Sequence, residues 1–92
     1  MVTVTLFAGV VLYHVVVIGL VPGSVHAIHD HLGSCMAINR SRHLAVLTIG
    51  SANSAGALVF DRVVPAFDFG PNRIIIIYNS AQATLVTGCA SL

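Results

Sequence analysis

Residues 47–63 read LTIGSANSAGALVFDRV, and the interpretation of the whole chain turns on this stretch. It is apolar over most of its length, it is crowded with small residues, and it closes with the charged pair Asp61 and Arg62. The composition of the whole chain indicates which environment suits such a segment.

The chain is short, apolar and poor in charge. It has 92 residues, of which 57% are hydrophobic and 8% are charged, whereas an ordinary soluble domain has about 25% charged residues. A domain of this size exposes much of its surface, which four basic and three acidic side chains do not cover. Cys35 and Cys89 permit at most one disulfide, which is little support for a small secreted domain. The composition therefore favours an integral membrane protein.

Three uncharged segments, residues 2–21, 44–60 and 74–91, are separated by the charged ones. A helix needs about 20 residues to cross a bilayer, and these segments approach that length. The alternation in VTVT, residues 2–5, favours a strand in water, but in lipid each segment must satisfy its own backbone hydrogen bonds, which favours helices. We therefore predict an all-α membrane protein, a single domain of residues 1–92 with three transmembrane helices and connections at 22–43 and 61–73.

Small residues recur four apart in two of these segments. The pairs are Gly50 and Ser54, Ser51 and Ala55, and Ala52 and Gly56, followed later by the row Ser80, Thr84 and Gly88. In membrane helices this spacing marks the face that another helix approaches. The pattern predicts packing against partner subunits, with a quinone or another cofactor in the notch as the alternative.

The histidines suggest two kinds of site. His14 lies midway along the first segment, where it either ligates a haem or hydrogen-bonds a neighbouring helix. Three more histidines, with Asp30, lie in HAIHDHLG, residues 26–33, and such ligands suit several metal ions. The spacing of His26, His29 and His31 places them on no single helical face, which favours a solvated loop over a metal site. His43 is expected at the level of the lipid headgroups.

Asp61 and Arg62 are expected at the membrane interface. Either they fix the depth of the helix, or they lie at the mouth of a site where Arg62 donates to a quinone carbonyl or a haem propionate. The cofactor-binding candidates are therefore Asp61, Arg62 and His14, and the sequence predicts no catalytic and no metal-binding set. A net charge of +1 with four scattered arginines argues against nucleic-acid binding.

The quoted stretch resembles the second membrane helix of the small anchor subunit of succinate dehydrogenase, respiratory complex II. The matching positions are Leu47, Thr48, Gly56, Val59, Asp61 and Val63. IGLVPGS, residues 18–24, is similar to the Gly-Leu-x-Pro end of that family's first helix. Gly50 stands where the family has its haem-ligating histidine, and Arg62 stands where it has the tyrosine that hydrogen-bonds ubiquinone. INRSRHL, residues 38–44, resembles part of a motif of the larger anchor subunit, although Met36 replaces an expected histidine.

This resemblance implies a non-catalytic anchor subunit of a succinate:quinone oxidoreductase, located in the mitochondrial inner membrane or a bacterial-type energy-transducing membrane. The implied partners are the other subunits and the lipid bilayer, and the implied cofactor is ubiquinone at a subunit interface. Gly50 argues against haem b. Two alternatives stay open: an accessory structural subunit of another respiratory or ATP synthase complex, and a small homo-oligomeric transporter with His14, Asn53 and Asn79 along a polar path.

Overall fold

The computed structural model describes residues 2–7, 9–38, 43–65 and 73–92, and within these residues the regular structure is entirely β-strand. The strands, in chain order, are β1 (Val2–Phe7), β2 (Val10–Val17), β3 (Val25–Leu32), β4 (His43–Ser51), β5 (Leu58–Pro65), β6 (Arg73–Tyr78) and β7 (Val86–Ser91). The described chain is therefore all-β.

The strands form two antiparallel sheets. The first sheet has the order β1-β2-β5 and the second has the order β4-β3-β6-β7. Strands β4 and β5 follow one another in the chain but belong to different sheets, so the turn between them carries the chain from one sheet to the other. The core lies between the sheets and consists of Val11, Tyr13, Val15, Ile28, Leu47, Leu58, Ile75 and Ile77.

The alternation of side chains along a strand explains which residues are buried. In β2, the buried Val11, Tyr13 and Val15 alternate with the exposed Leu12 and His14, because successive side chains point to opposite faces. The isoleucine run of β6, residues 74–77, is instead buried throughout. A continuous apolar run of this kind is typical of a strand that is covered on both faces.

The second face of β6 is covered by a separate group of side chains, which we call the outer cluster. Its buried members are Ala27, Ile74, Ile76 and Tyr78, and Cys35, Ile38, Ala83 and Cys89 pack against them. A disulfide joins Cys35 to Cys89 and so fastens the segment after β3 to strand β7. The disulfide thereby holds in place side chains that cover the outer face of Ile74 and Ile76.

Reduction of this disulfide is expected to destabilise the fold. The two cysteines are separated by 54 positions. Without the bridge, the unfolded chain gains the conformational entropy of a loop of that length, which in the chain-entropy model lowers the free energy of unfolding by about 4 kcal/mol. Urea unfolding of the oxidised and reduced protein measures the difference. A Cys35→Ser/Cys89→Ser variant serves as the control, and its free energy of unfolding should be the same with and without reductant. Equal unfolding free energies before and after reduction would contradict the expectation.

The predicted all-α membrane protein is wrong. Residues 2–21 contain β1 and β2, residues 44–60 lie mostly in β4 and β5, and residues 74–91 contain β6 and β7. Across the described part of the chain, no helix is long and apolar enough to cross a bilayer. The prediction of a multi-pass protein of the mitochondrial inner membrane is contradicted for the same reason. Two stacked sheets and the outer cluster bury part of the apolar side chains, while others, such as Ile18, Val21 and Leu85, stay exposed.

The small residues of the quoted stretch do not form a helix seam: Gly50 and Ser51 end strand β4, and Ala52, Ser54, Ala55 and Gly56 lie in the connection to β5. Between β4 and β5, the Asn53 side-chain oxygen accepts hydrogen bonds from the backbone of Ala55 at 2.9 Å and of Ala57 at 3.0 Å. Gly56 has a φ of +74°, and its carbonyl accepts a hydrogen bond from the Leu20 backbone. A Cβ on Gly56 would collide with the Leu20 carbonyl oxygen. The turn requires glycine there because of both its φ and its close neighbour.

Gly56→Ala is therefore expected to destabilise the protein more than a matched substitution at Gly19. Gly19 has a φ of +78° with nothing within 4 Å of an added Cβ, so alanine there costs only the left-handed strain, about 1–2 kcal/mol. Gly56→Ala adds a backbone clash to the same strain. Urea unfolding of both variants measures the difference, and equal losses would show that the contact with Leu20 is unimportant.

A buried ionic contact joins the two sheets. The Asp30 carboxylate, on β3, is 1% exposed and accepts hydrogen bonds at its Oδ2 from the Tyr13 hydroxyl at 2.9 Å and from Arg73 Nη2 at 2.8 Å. Tyr13 belongs to β2 of the first sheet, and Arg73 begins β6 of the second. Asp30 therefore links β3 to a strand of each sheet.

The Tyr13 contact is expected to make stability depend on alkaline pH. Burial, and after it the neighbouring Asp30 carboxylate, raise the pKa of Tyr13 above its ordinary value of 10.0. The folded protein then holds a proton that the unfolded chain releases, so this contribution is complete below about pH 10 and is lost as the pH rises further. Tyr13→Phe should cost about 1–3 kcal/mol at pH 7 and reduce the alkaline decline. Urea unfolding between pH 7 and 11 tests this, and an unchanged decline in the variant would contradict it.

Candidate metal centre

Three histidines converge on one face of the second sheet. His29 and His31 lie two residues apart on β3 and therefore share a face. His43 begins the neighbouring strand β4 and lies opposite His31 in the strand register. The register shifts between Ile28 and His29 and again between Asp30 and His31, and such irregularities re-aim side chains.

The three rings are close enough to share one ion. The ring centroids of His29 and His43 are 4.6 Å apart, those of His31 and His43 are 5.2 Å apart, and those of His29 and His31 are 5.9 Å apart. One ligand atom from each ring lies within 4.8 Å of the others. Zinc–nitrogen bonds of about 2.0–2.1 Å in tetrahedral geometry place ligand nitrogens about 3.4 Å apart. To bind one tetrahedral ion, the ligand atoms have to approach one another by up to about 1.4 Å, the difference between 4.8 Å and about 3.4 Å.

The histidines line an open cleft of about 430 Å³, together with Val46, Tyr78 and Ala83. We call this the histidine cleft. His31 is buried at 1% exposure, His29 is half-buried and His43 is exposed. An ion can therefore reach the set from solvent on the side of His43, while His31 forms the interior end of the site.

The backbone that carries His29 and His31 is held from both faces of the sheet. On the core face, Asp30 lies between them in sequence and is fixed by Tyr13 and Arg73. On the cleft face, the Tyr78 hydroxyl of β6 lies 3.4 Å from Nε2 of His31, and the Tyr78 ring makes an edge contact with the His29 ring at 4.8 Å. Positions held by packing in this way are what a preorganised ligand set requires.

The chemistry of the set favours a transition metal. Imidazole is a good ligand for zinc, copper, iron and nickel, whereas calcium and magnesium prefer oxygen ligands. Within the described residues, the cluster holds three imidazoles and no carboxylate or thiolate. Three protein ligands with one open position are typical of catalytic zinc sites, whereas structural zinc sites are closed by four.

The structure places the predicted cofactor-binding residues elsewhere. His14 on β2 and Asp61 on β5 lie opposite one another in the first sheet, with Nδ1 of His14 2.8 Å from Oδ1 of Asp61. These side chains are 46% and 79% exposed, and surface pairs of this kind contribute at most about 1 kcal/mol. Arg62 follows on β5 and is exposed. Their predicted role in binding a quinone or haem stays a prediction.

The sequence pattern drew attention to His26, His29 and His31, but a helical period places them on no single face and favoured a solvated loop, whereas all three lie on strand β3. A strand period places His29 and His31 on one face and His26 on the other. His26 is buried, donates from Nδ1 to the Tyr78 carbonyl at 2.7 Å, and lies 2.7 Å from the Ser24 hydroxyl. The spacing His-x-His on a strand was the available signal for the pair on β3.

One other position that the sequence singled out lies outside the histidine cleft, and one motif falls partly outside the described residues. Gly50, the position of the family's haem ligand, lies in β4 opposite His26. Residues 39–42 of the motif INRSRHL fall outside the described part of the chain. Tyr78 was not among the predicted site residues, because only the pairing of β3 with β6 brings it to the histidines.

Comparison with protein-family models, curated proteins and solved structures finds no match to this chain. The resemblance to the succinate dehydrogenase anchor subunit therefore has the quoted residues as its sole support.

Proposed function

We propose that this protein is a metal-binding domain in which His29, His31 and His43 hold one divalent transition-metal ion, with zinc as the ion. The observation that carries the proposal is the convergence of three imidazoles from two adjacent strands within 4.8 Å at an open cleft. Exposed groups of ligands occur by chance on surfaces, but here the ligand His31 is buried and its strand is fixed on both faces.

Zinc suits this site because of its ligand preference and geometry. Zinc accepts three imidazole nitrogens in a tetrahedral arrangement, and it does not change its oxidation state. Copper(II) binds nitrogen ligands more tightly than zinc does and is expected to compete in vitro, although it prefers a tetragonal arrangement. The disulfide between Cys35 and Cys89 keeps both thiols from serving as ligands.

The anchor-subunit function that the resemblance implies stays a prediction. It depends on helical spans, and the described residues form strands in those places. Metal binding at the histidine cleft does not require it.

Zinc binding is expected at one ion per chain, and His43→Ala is expected to weaken it by at least about 100-fold. Losing an outer-shell partner of a metal ligand already costs about 10–100-fold, and a ligand contributes more. His43 is the preferred site for substitution because it is exposed, so alanine there should leave the fold intact. Competition with a zinc-binding dye measures the affinity, and far-UV circular dichroism checks the fold.

The matched control is His14→Ala, which removes an exposed histidine from the other sheet and should leave zinc affinity unchanged. His29→Ala should behave like His43→Ala. Two results would refute the proposal: a wild-type protein that binds no zinc, or a loss of affinity in His14→Ala equal to that in His43→Ala.

A further inference from the structure

The histidine cleft has more room than an ion needs, and the additional surface has a defined chemistry. Its volume of about 430 Å³ is within the range of small-ligand sites, about 300–1,000 Å³. Among the described residues that line it, the Tyr78 hydroxyl is the polar group beyond the imidazoles, while Val46 and Ala83 are apolar. The lining therefore combines a metal-ligand set, one hydroxyl and a short aliphatic wall.

Charge determines what such a surface attracts. Three neutral imidazoles leave the double positive charge of a zinc-class ion uncompensated, and the described residues of the lining contribute no carboxylate. A bound cation is the largest local charge in a site of this kind. The carboxylate of Asp30 is engaged on the core face with Tyr13 and Arg73. An anion at the open coordination position supplies the missing negative charge.

Tyr78 is placed to recognise that anion. Its side chain is 2% exposed, and its hydroxyl lies 3.4 Å from Nε2 of one proposed ligand, His31. Nε2 is one of the two nitrogens through which His31 can bind an ion. An ion bound there has the Tyr78 hydroxyl beside its ligand nitrogen, where the hydroxyl can donate to an oxygen on that ion. The ring is held by its edge contact with His29, so the hydroxyl is positioned before the anion arrives.

We propose that the open position of the histidine cleft binds a small aliphatic carboxylate, such as acetate or propionate. One carboxylate oxygen binds the metal ion, the other accepts a hydrogen bond from the Tyr78 hydroxyl, and the alkyl group lies against Val46 and Ala83. This inference rests on the proposed metal site. It assigns to the Tyr78 hydroxyl, in addition to its contact with His31, the role of binding the carboxylate.

The test uses cobalt(II) as a coloured substitute for zinc in the oxidised full chain. Visible absorption bands report cobalt binding, and titration with sodium propionate should shift the bands to saturation. In Tyr78→Phe, which keeps the ring that contacts His29 and loses the hydroxyl beside His31, cobalt should still give its bands, at a higher cobalt concentration. With the variant saturated with cobalt, propionate should bind about 10- to 100-fold more weakly than to the wild type, the equivalent of one hydrogen bond to a charged group. His14→Ala, which changes an exposed side chain of the first sheet outside the cleft, should leave the propionate affinity unchanged.

The outcomes separate the two proposals. If cobalt gives no bands in the wild type, the metal site itself fails, and the carboxylate site fails with it. If cobalt binds but propionate leaves the bands unchanged, the carboxylate site is overturned and the metal site stands. If propionate binds equally to the wild type and to Tyr78→Phe, the recognition by Tyr78 is overturned. Cobalt binding in Tyr78→Phe also shows that this variant folds.

Discussion

The buried contact of Asp30 with Tyr13 and Arg73 sets the arrangement of both sheets and of the site. A buried carboxylate is costly unless it is paired and hydrogen-bonded, and here the two donors come from β2 in the first sheet and β6 in the second. Because side chains alternate along a strand, directing Asp30 into the core directs His29 and His31 to the other face. A contact in the interior thus determines which face of β3 carries the site.

The remaining parts of the site come from strand pairing and from the cover over the second sheet. Pairing of β3 with β4 brings His43 to His31, and pairing of β3 with β6 brings Tyr78 to both histidines of β3. The outer cluster lies on the same face, where the disulfide holds the segment after β3 against β6 and β7. The histidine cleft is therefore bordered by a packed apolar layer.

Local sequence signals predicted strands, but composition was given more weight. Two local signals were correct. The alternation of VTVT at residues 2–5 indicated β1, and the β-branched isoleucines at 74–77 indicated β6. A low charge predicts a lipid environment when one disulfide is too little support for a small domain. In the structure, the bridge and a strand buried on both faces accommodate part of the apolar surface. His29 and His31 could be found from the sequence once a strand period was used. His43 and Tyr78 could not, since their approach depends on strand register and on its two shifts.

X-ray absorption at the zinc edge would decide whether the three histidines hold an ion, because it counts the ligands in the wild-type protein at one zinc per chain. We expect a first shell of three imidazole nitrogens at about 2.0–2.1 Å with one further light atom, together with the outer-shell scattering of three histidine rings. A shell with fewer than three imidazoles, or one made of oxygen alone, would contradict the proposed metal centre.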